Sequence, residues 1–193
     1  MEPDHILNIL VLAPHTDDET VGCGGFINRM SVEGHNILIV AFSHCNNGSL
    51  ITEFENACKV LAPDADVILE QFDVRQFTAN RQRLLDCLIK HRQFAPDVVL
   101  CPASYDVHQD HNQVYQEAIR AFKGGKRTIL GYSHQWNTMG YSNARLSVLL
   151  TKENIAAKKK AMKVYKSQSE RDYFKDNSWV MGHEHYEVIQ CVY

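Results

Sequence analysis

The stretch from residue 9 to residue 19 constrains the fold more than any other part of the chain. It begins with a short apolar run, Ile9 to Ala13, whose length and β-branched residues are typical of a buried strand. The run is followed at once by a proline, a histidine and three acidic residues. Because ligands bind at the carboxyl ends of the strands in an open α/β sheet, this stretch places polar chemistry at a ligand-binding edge.

Apolar segments of strand length alternate with amphipathic segments of helix length over the first two thirds of the chain. Strands are predicted at residues 6–12, 36–42, 65–72, 98–102 and 127–132. Helices are predicted at residues 24–33, 52–61, 78–94 and 110–122. This alternation predicts an α/β fold with a single Rossmann-like, doubly wound, mostly parallel sheet flanked by helices, its first five strands in the order 3-2-1-4-5.

The last third of the chain is less regular. The pattern predicts a loop at residues 133–143, a strand at 144–150, a helix at 153–166, a polar loop at 167–184 and a last strand at 186–192. The helix carries Lys158 and other lysines, which we expect to form a solvated face. With 193 residues and no linker or repeat, the chain is expected to form one domain, residues 1–193.

Composition limits the classes of partner and compartment. A net charge of −3 gives no reason to expect a nucleic-acid partner. No apolar run reaches the roughly 18 residues of a membrane span, and residues 1–5 do not resemble the start of a signal peptide. The six cysteines form no C-x-x-C pair and are expected to be buried free thiols. These features favour a cytoplasmic protein.

A second polar segment follows the fourth predicted strand and contains His108, Asp110 and His111. Strands one and four are neighbours at the switch point of the predicted sheet, so their carboxyl ends lie side by side. We therefore expect this segment to face residues 15–19 across one crevice. Two facing clusters of histidine and carboxylate indicate a functional site more strongly than either cluster alone.

Imidazole and carboxylate ligands without thiolate suit zinc in a catalytic site, which needs three protein ligands and a water molecule. The residues that can supply these ligands are His15, Asp18 and His111. The same set suits Fe²⁺. The sequence therefore predicts one metal ion per chain, zinc in the first instance, which lowers the pKa of its bound water toward ~7.

Further residues are candidates for the chemistry at that water. Asp17 is adjacent to a predicted ligand and is free to take the proton of the water. His108 is expected to be held as imidazolium by Asp110, and then to stabilise an oxyanion or protonate a leaving amine. Glu19 either supports the residues that surround the metal ion or supplies negative charge at a helix N-terminus. These residues favour metal-assisted hydrolysis, but they do not indicate which bond of the substrate is hydrolysed.

The two polar segments resemble motifs of a known family. Residues 14–19, Pro-His-Thr-Asp-Asp-Glu, resemble the H-P-D-D-E motif of the PIG-L/LmbE-like zinc N-deacetylases, and residues 108–111, His-Gln-Asp-His, resemble their H-P-D-H motif. The resemblance implies the same zinc ligands, Asp17 as general base, and His108 as an electrophilic partner tuned by Asp110. It also implies a small-molecule substrate, an amino-sugar conjugate of the N-acetylglucosamine type that loses its acetyl group, and homo-oligomers among the members.

The chain departs from the family pattern at a few positions. Thr16 and Gln109 stand where the family motifs have proline, which is expected to loosen the two loops. The loop before the second helix also lacks the arginine with which many members hold substrate. Arg75 and Arg81 are candidates to replace it, and surface charge is the alternative for both.

Other polar residues near the predicted edge have two interpretations each. His44 and Asn46, at the end of the second strand, either bind substrate or belong to a solvated loop. His134 and Trp136 either contact a sugar ring or are structural. The two histidines of residues 183–185 are expected to make surface or subunit contacts.

Two other functions remain open at this level. One is a metal-dependent amidase that acts on a non-sugar amide or a thiol conjugate. The other is a catalytically silent sugar-binding module on the same fold, against which the complete ligand set argues. An assay of N-acetylglucosamine conjugates beside simple amides separates the first alternative from the deacetylase.

Overall fold

The computed structural model describes residues 5–140, 145–175 and 181–191. Within these ranges the strands are β1 (Asn8–His15), β2 (Asn36–Ser43), β3 (Asp66–Leu69), β4 (Val98–Pro102), β5 (Thr128–Tyr132), β6 (Arg145–Leu149) and β7 (His183–Gln190). The α-helices are α1 (Asp18–Val32), α2 (Ser49–Leu61), α3 (Arg81–Lys90), α4 (Gln109–Phe122), α5 (Lys152–Met162) and α6 (Asp172–Lys175).

The strands form one sheet in the order β3-β2-β1-β4-β5-β7-β6. The first five strands pair in parallel, and β7 runs antiparallel between β5 and β6. The predicted fold class and the order 3-2-1-4-5 are therefore confirmed. Because β1 and β4 are neighbours whose following helices leave on opposite faces, their carboxyl ends open a crevice at the switch point.

Two apolar clusters cover the two faces of the sheet. Helices α1, α2 and α5 contact one another on one face, and α3 contacts α4 on the other. Strand β1 serves both clusters, since Ile9 and Val11 belong to the first and Leu10 and Leu12 to the second. This burial on both faces explains why the strand is a continuous apolar run rather than an alternating one.

Helix α1 begins at Asp18, well before the predicted start at residue 24. The glycine-rich segment lies inside the helix, at a kink where Cys23 has φ −146° and ψ 22°. A Cβ on Gly22 would collide with the ring of Tyr132, so the missing side chain is needed for close packing. The predicted start at residue 24 was therefore wrong, because the helix continues through Gly22 and Cys23, where the missing side chain serves close packing.

Glu184 on β7 stabilises this kink through hydrogen bonds to the backbone of α1. Its carboxylate accepts hydrogen bonds from the amides of Gly25 at 2.9 Å and Phe26 at 2.8 Å. Lys158 on α5 donates to the same carboxylate at 2.6 Å, and both side chains are buried. The expectation that Lys158 is solvated was wrong, because this lysine turns toward α1 while its neighbour Lys159 stays exposed.

Several element ends also differ from the predictions. The helix predicted at residues 78–94 is divided into α3 and a 3-10 turn, His91–Phe94. Strand β7 begins at His183, inside the segment predicted as a polar loop, and Ser147 of β6 pairs with His185 through a 2.8 Å contact. The predicted ends at Ala144 and Val192, the loop residues 141–143 and 176–180, and residues 1–4 fall outside the described residues.

The cysteines are free thiols. Four of them are buried as expected, whereas Cys45 is partly exposed and Cys191 is exposed. Among the described residues, no helix combines the length and apolar character that crossing a membrane requires.

Candidate metal centre and active site

The first polar segment, residues 15–19, begins at the carboxyl end of β1. His15 is the last residue of the strand and pairs with Ser43 of β2. The next turn depends on Asp17, which has φ 102°, a left-handed conformation that non-glycine residues rarely adopt. Glu19 stabilises this turn, because its Oε2 accepts a 3.0 Å hydrogen bond from the Asp17 amide while its Oε1 accepts one from Tyr165 at 2.6 Å. Glu19 thus contacts the Asp17 turn and also lies in the first turn of α1, so both of its interpretations remain.

The N-terminus of α4 delivers the second polar segment. His108 caps the helix, since its Nδ1 accepts a 3.2 Å hydrogen bond from the Asp110 amide. Its own amide donates to Oδ1 of Asp106 at 2.8 Å. These local contacts place the side chains of residues 108, 110 and 111 on the first turn of α4, at the carboxyl end of β4.

The two segments meet at the carboxylate of Asp18. Its Oδ2 lies 3.2 Å from Nδ1 of His15 and 3.2 Å from Nε2 of His111. Ligand atoms about 2.0–2.2 Å from one zinc ion are separated by distances of this order. The expected juxtaposition of the two segments is therefore observed, and the Asp18 carboxylate lies close enough to each histidine to share a divalent metal ion with it.

Each of the two imidazoles has a carboxylate behind it. Nε2 of His15 lies 3.0 Å from Oδ2 of Asp110, and Nδ1 of His111 lies 2.8 Å from Oδ2 of Asp106. Such carboxylate–histidine pairs orient metal-binding imidazoles and make them more basic. In both residues the contact leaves the other ring nitrogen facing Asp18.

This arrangement corrects one expectation. The carboxylate of Asp110 contacts His15 and not His108, to which Asp110 gives only its backbone amide. Burial lowers the pKa of His108, and positive charge on His111 and His15 lowers it further. The hydrogen bond that its Nδ1 accepts is one that a neutral imidazole makes and an imidazolium does not.

The electrostatics of the cluster favour bound positive charge. Burial alone would lower the pKa of His111, but the carboxylates of Asp18 and Asp106 outweigh it and raise the pKa to about 10. His15 behaves in the same way, with a pKa raised to about 9 by Asp110 and Asp18 against the effect of burial. Burial and the neighbouring acids Asp18 and Glu19 raise the pKa of Asp17 well above its ordinary value. A divalent cation bound here would be stabilised by the same buried carboxylates.

His134, interpreted from the sequence as a sugar contact or a structural residue, lies beside the predicted metal ligands. It is 1% exposed and stacks on Trp136, with the ring centroids 5.2 Å apart. Its Nε2 lies 3.7 Å from Oδ1 of Asp18 and its Nδ1 lies 3.8 Å from Oδ2 of Asp106. Neither nitrogen has a hydrogen-bond partner among the described residues. With Asp18 and His111 it forms one of two sets of three groups, among the described residues of this centre, that could hold an ion. The other set is His15, His108 and His111.

The centre lies in a cavity of about 500 Å³. Its walls include His15, Asp17, Asp18, His108 and His111, together with Cys45, Arg75, Trp136, Gln168 and Arg171. Arg171 comes from the predicted polar loop, where no sequence signal distinguished it. A neighbouring cavity of about 380 Å³ shares the wall formed by Val21 and Trp136.

Of the candidates for substrate binding, some line this cavity and others do not. Arg75 is part of the wall, and its amide donates to Oδ2 of Asp110 at 2.7 Å. The wall includes Cys45 but neither His44 nor Asn46, which flank it. Arg81 contacts Glu117 of α4 at 3.5 Å instead of the cavity.

Thr16 and Gln109, which stand where the family motifs have proline, make hydrogen bonds to neighbouring segments. The amide of Thr16 donates to the carbonyl oxygen of Ser43 at 3.0 Å, a bond that proline cannot make. The side chain of Gln109 donates to the carbonyl oxygen of Arg75 at 3.0 Å. Each of these two residues therefore adds a hydrogen bond between its own segment and another segment of the site.

The fold and the site define the class as an α/β protein with a cluster of potential metal ligands at the switch point of its sheet. Residues 10–122 match the model of the PIG-L family, described as GlcNAc-PI de-N-acetylase, and the chain belongs to this family. It is also 32% identical over 135 residues to the "Uncharacterized deacetylase YaiS" of Escherichia coli, an alignment that covers 64% of this chain and 72% of YaiS. The recognition from the two sequence motifs is confirmed.

Solved structures share the fold at lower identity. The N,N'-diacetylchitobiose deacetylase from Pyrococcus horikoshii aligns with a TM-score of 0.74 at 18% identity, covering 94% of this chain and 83% of that one. GalB, the 4-carboxy-2-hydroxymuconate hydratase from Pseudomonas putida KT2440, aligns with a TM-score of 0.75 at 14% identity, covering 97% and 98%. Because a deacetylase and a hydratase share this fold, the reaction must be argued from the residues of the site.

Proposed function

We propose that the protein is a metal-dependent N-deacetylase that hydrolyses the acetamide of an N-acetylated amino-sugar conjugate. The observation that carries the proposal is the position of the Asp18 carboxylate, 3.2 Å from one nitrogen each of His15 and His111, in a cavity that also contains Asp17 and His108. Membership of the PIG-L family and the similarity to the deacetylase YaiS support the same reaction class.

We assign one ion per chain to His15, Asp18 and His111, with His134 beside them. Zinc fits this ligand set and Fe²⁺ is the alternative. When bound, zinc supplies a Lewis acid for the amide carbonyl and lowers the pKa of water at the site. Asp106 and Asp110 hold the two imidazoles in the orientation that binding requires, through contacts of 2.8 Å and 3.0 Å.

Asp17 is the proposed general base. Its carboxylate makes no capping hydrogen bond to helix α1, although it occupies the capping position. Burial raises its pKa, which makes the carboxylate a stronger proton acceptor. The proton of the attacking water passes to Asp17 and then to the amine, as the water oxygen joins the carbonyl carbon and the C–N bond breaks. The products are acetate and a free amino group.

His108 is the proposed oxyanion donor. Since its Nδ1 accepts a hydrogen bond from the Asp110 amide, the ring proton of the neutral imidazole is on Nε2. A neutral N–H in the cavity wall can donate to the negative charge that develops on the carbonyl oxygen. This role needs no proton transfer from His108.

The cavity supports a sugar-sized substrate. Its volume of about 500 Å³ lies within the range of small-molecule sites. Trp136 offers an aromatic surface, and Arg75 and Arg171 offer donors for hydroxyl or anionic groups. We infer that Arg75 takes the place of the arginine that the loop before α2 lacks.

The test is acetate release by the zinc-loaded protein. Free, nucleotide-linked and lipid-linked N-acetylhexosamines are compared with simple N-acetyl amides, and release from at least one sugar conjugate is expected. Asp17→Asn should lower the rate by about 10²–10⁴-fold while the zinc content stays unchanged. A full rate in this variant would reject Asp17 as the base, and release from simple amides alone would reject the sugar substrate.

A further inference from the structure

Glu70, Cys87 and His91 form a second cluster of potential metal ligands. Nε2 of His91 lies 3.7 Å from Sγ of Cys87 and 3.7 Å from Oε1 of Glu70. One ligand atom from each residue lies within 4.8 Å of the other two. The cluster shares no residue with the wall of the catalytic cavity.

Two contacts in this cluster have lengths close to those between ligands of one ion, and the contact between Cys87 and His91 also lies within hydrogen-bond range for sulfur. A hydrogen bond between a ring N–H and a carboxylate oxygen spans about 2.7–3.2 Å, so the contact between His91 and Glu70 is too long for one. Tetrahedral zinc with bonds of about 2.3 Å to sulfur and 2.0–2.2 Å to nitrogen or oxygen separates its ligand atoms by roughly 3.4–3.6 Å. The observed 3.7 Å contacts need little adjustment to reach that geometry.

A catalytic triad, in which Glu70 orients His91 and His91 activates the Cys87 thiol as a nucleophile, does not explain the cluster. In such a triad the two ring nitrogens of a histidine face different partners, whereas here Nε2 of His91 faces both Cys87 and Glu70. Burial and Glu70 also raise the pKa of the Cys87 thiol to about 12, and burial lowers the pKa of His91. The resting pair is therefore a neutral thiol and a neutral imidazole rather than an activated thiolate.

The backbone holds the three residues in place. Cys87 and His91 are one turn apart, and the His91 amide donates to the Cys87 carbonyl oxygen. Glu70 follows β3, and its amide donates to the Ala41 carbonyl oxygen at 2.8 Å. Cys87 and His91 are buried, while the Glu70 side chain is 31% exposed and a cavity of about 330 Å³ lies beside His91. An ion can reach the cluster from this side.

We propose that Glu70, Cys87 and His91 form a second metal site, selective for zinc or a similar thiolate-binding divalent ion, with water in the fourth position. Binding displaces the thiol proton of Cys87 to solvent, and the thiolate and the carboxylate then balance the two charges of the ion. The positive charges of Lys90 and Arg83, which lower the pKa of the Cys87 thiol, lie outside the ligand set. The bound ion connects the end of the edge strand β3 to the end of α3.

Cobalt(II) titration of the metal-free protein tests this site. Cobalt bound to a thiolate gives a charge-transfer absorption in the near ultraviolet, which the imidazole and carboxylate ligands of the catalytic cluster do not give. The wild type should bind about two ions per chain and show this absorption. Cys87→Ser should lose the absorption and one of the two ions.

Control variants separate this site from the catalytic one. His111→Ala should lose one ion but keep the thiolate absorption, whatever the outcome of the acetate assay. Cys45→Ser removes the thiol in the catalytic cavity and should keep both ions and the absorption. His91→Gln provides a second disruption in case Cys87→Ser does not fold, which circular dichroism monitors. Absence of the thiolate absorption in the wild type, or an absorption that survives in Cys87→Ser or His91→Gln, would overturn the proposal. A single ion that gives the absorption would instead contradict the ion assigned to the catalytic cluster.

Discussion

Nδ1 of His111 lies 2.8 Å from Oδ2 of Asp106, and this contact decides which nitrogen of His111 faces Asp18. The other oxygen of Asp106 accepts the amide of His108 at 2.8 Å. One buried carboxylate therefore orients a proposed metal ligand and the residue that caps α4. Asp106 lies outside both sequence motifs, so only the structure identifies it.

Asp106→Asn should weaken zinc binding by about 10–100-fold, because the amide is a poorer acceptor for the His111 ring N–H than the carboxylate. Chelator competition measures the dissociation constant. Asp64→Asn, on the exposed loop before β3, is the matched control and should leave the constant unchanged. An unchanged constant in Asp106→Asn would show that His111 does not bind the ion through the nitrogen opposite this contact.

His108→Ala should lower kcat for acetate release by about 10²–10³-fold, since it removes the proposed oxyanion donor. KM should change little, because the donor acts mainly on charge that develops in the transition state. His108→Gln retains an N–H donor and should recover part of the rate. Steady-state kinetics on the best substrate of the screen give both constants, with the exposed His5→Ala as control. An equal rise in KM with unchanged kcat would assign His108 to substrate binding instead.

Arg75→Met should raise KM by about tenfold, which corresponds to the loss of one charge-assisted hydrogen bond to substrate. Methionine keeps much of the side-chain length but none of the donors. Arg81→Met is the matched control, because Arg81 contacts Glu117 and not the catalytic cavity. Equal effects of the two substitutions would contradict a specific role for Arg75.

Lys158→Met should lower the free energy of unfolding by about 3–5 kcal/mol, because it leaves the buried Glu184 carboxylate without its cation. Adding Glu184→Gln should recover part of this loss, since the amide carries no charge. Urea denaturation measures both variants. Lys159→Met, on the exposed side of the same helix, should stay within about 0.5 kcal/mol of the wild type. A similar loss in Lys159→Met would show that the buried ion pair is not the cause.

The sequence predicted the sheet well because its strands are buried on both faces. In β1 and β2 nearly every residue is apolar, so the alternation of strand and helix is visible without any contact information. The meeting of residues 15–18 with residues 108–111 followed from the strand order alone, since neighbouring parallel strands end at the same edge.

The predictions failed where a residue's role depends on what packs against it from a distant part of the chain. The start of α1 was predicted at residue 24 instead of Asp18, because the contact of Gly22 with Tyr132 joins positions far apart in sequence. Lys158 was placed in solvent because its partner, Glu184, comes from a different strand. Propensity and periodicity describe local preference, and tertiary contacts override both.

The amino-acid sequence by itself determined the fold class, the family and the two segments that carry the proposed catalytic residues, because strand burial and motif spacing are local properties of the chain. Only the tertiary structure decided which carboxylate supports which imidazole, that His134 joins the centre and that Arg171 lines the cavity. The physical reason is that a side chain's partners are set by distances across the fold, where a difference of about 1 Å separates a hydrogen bond from none.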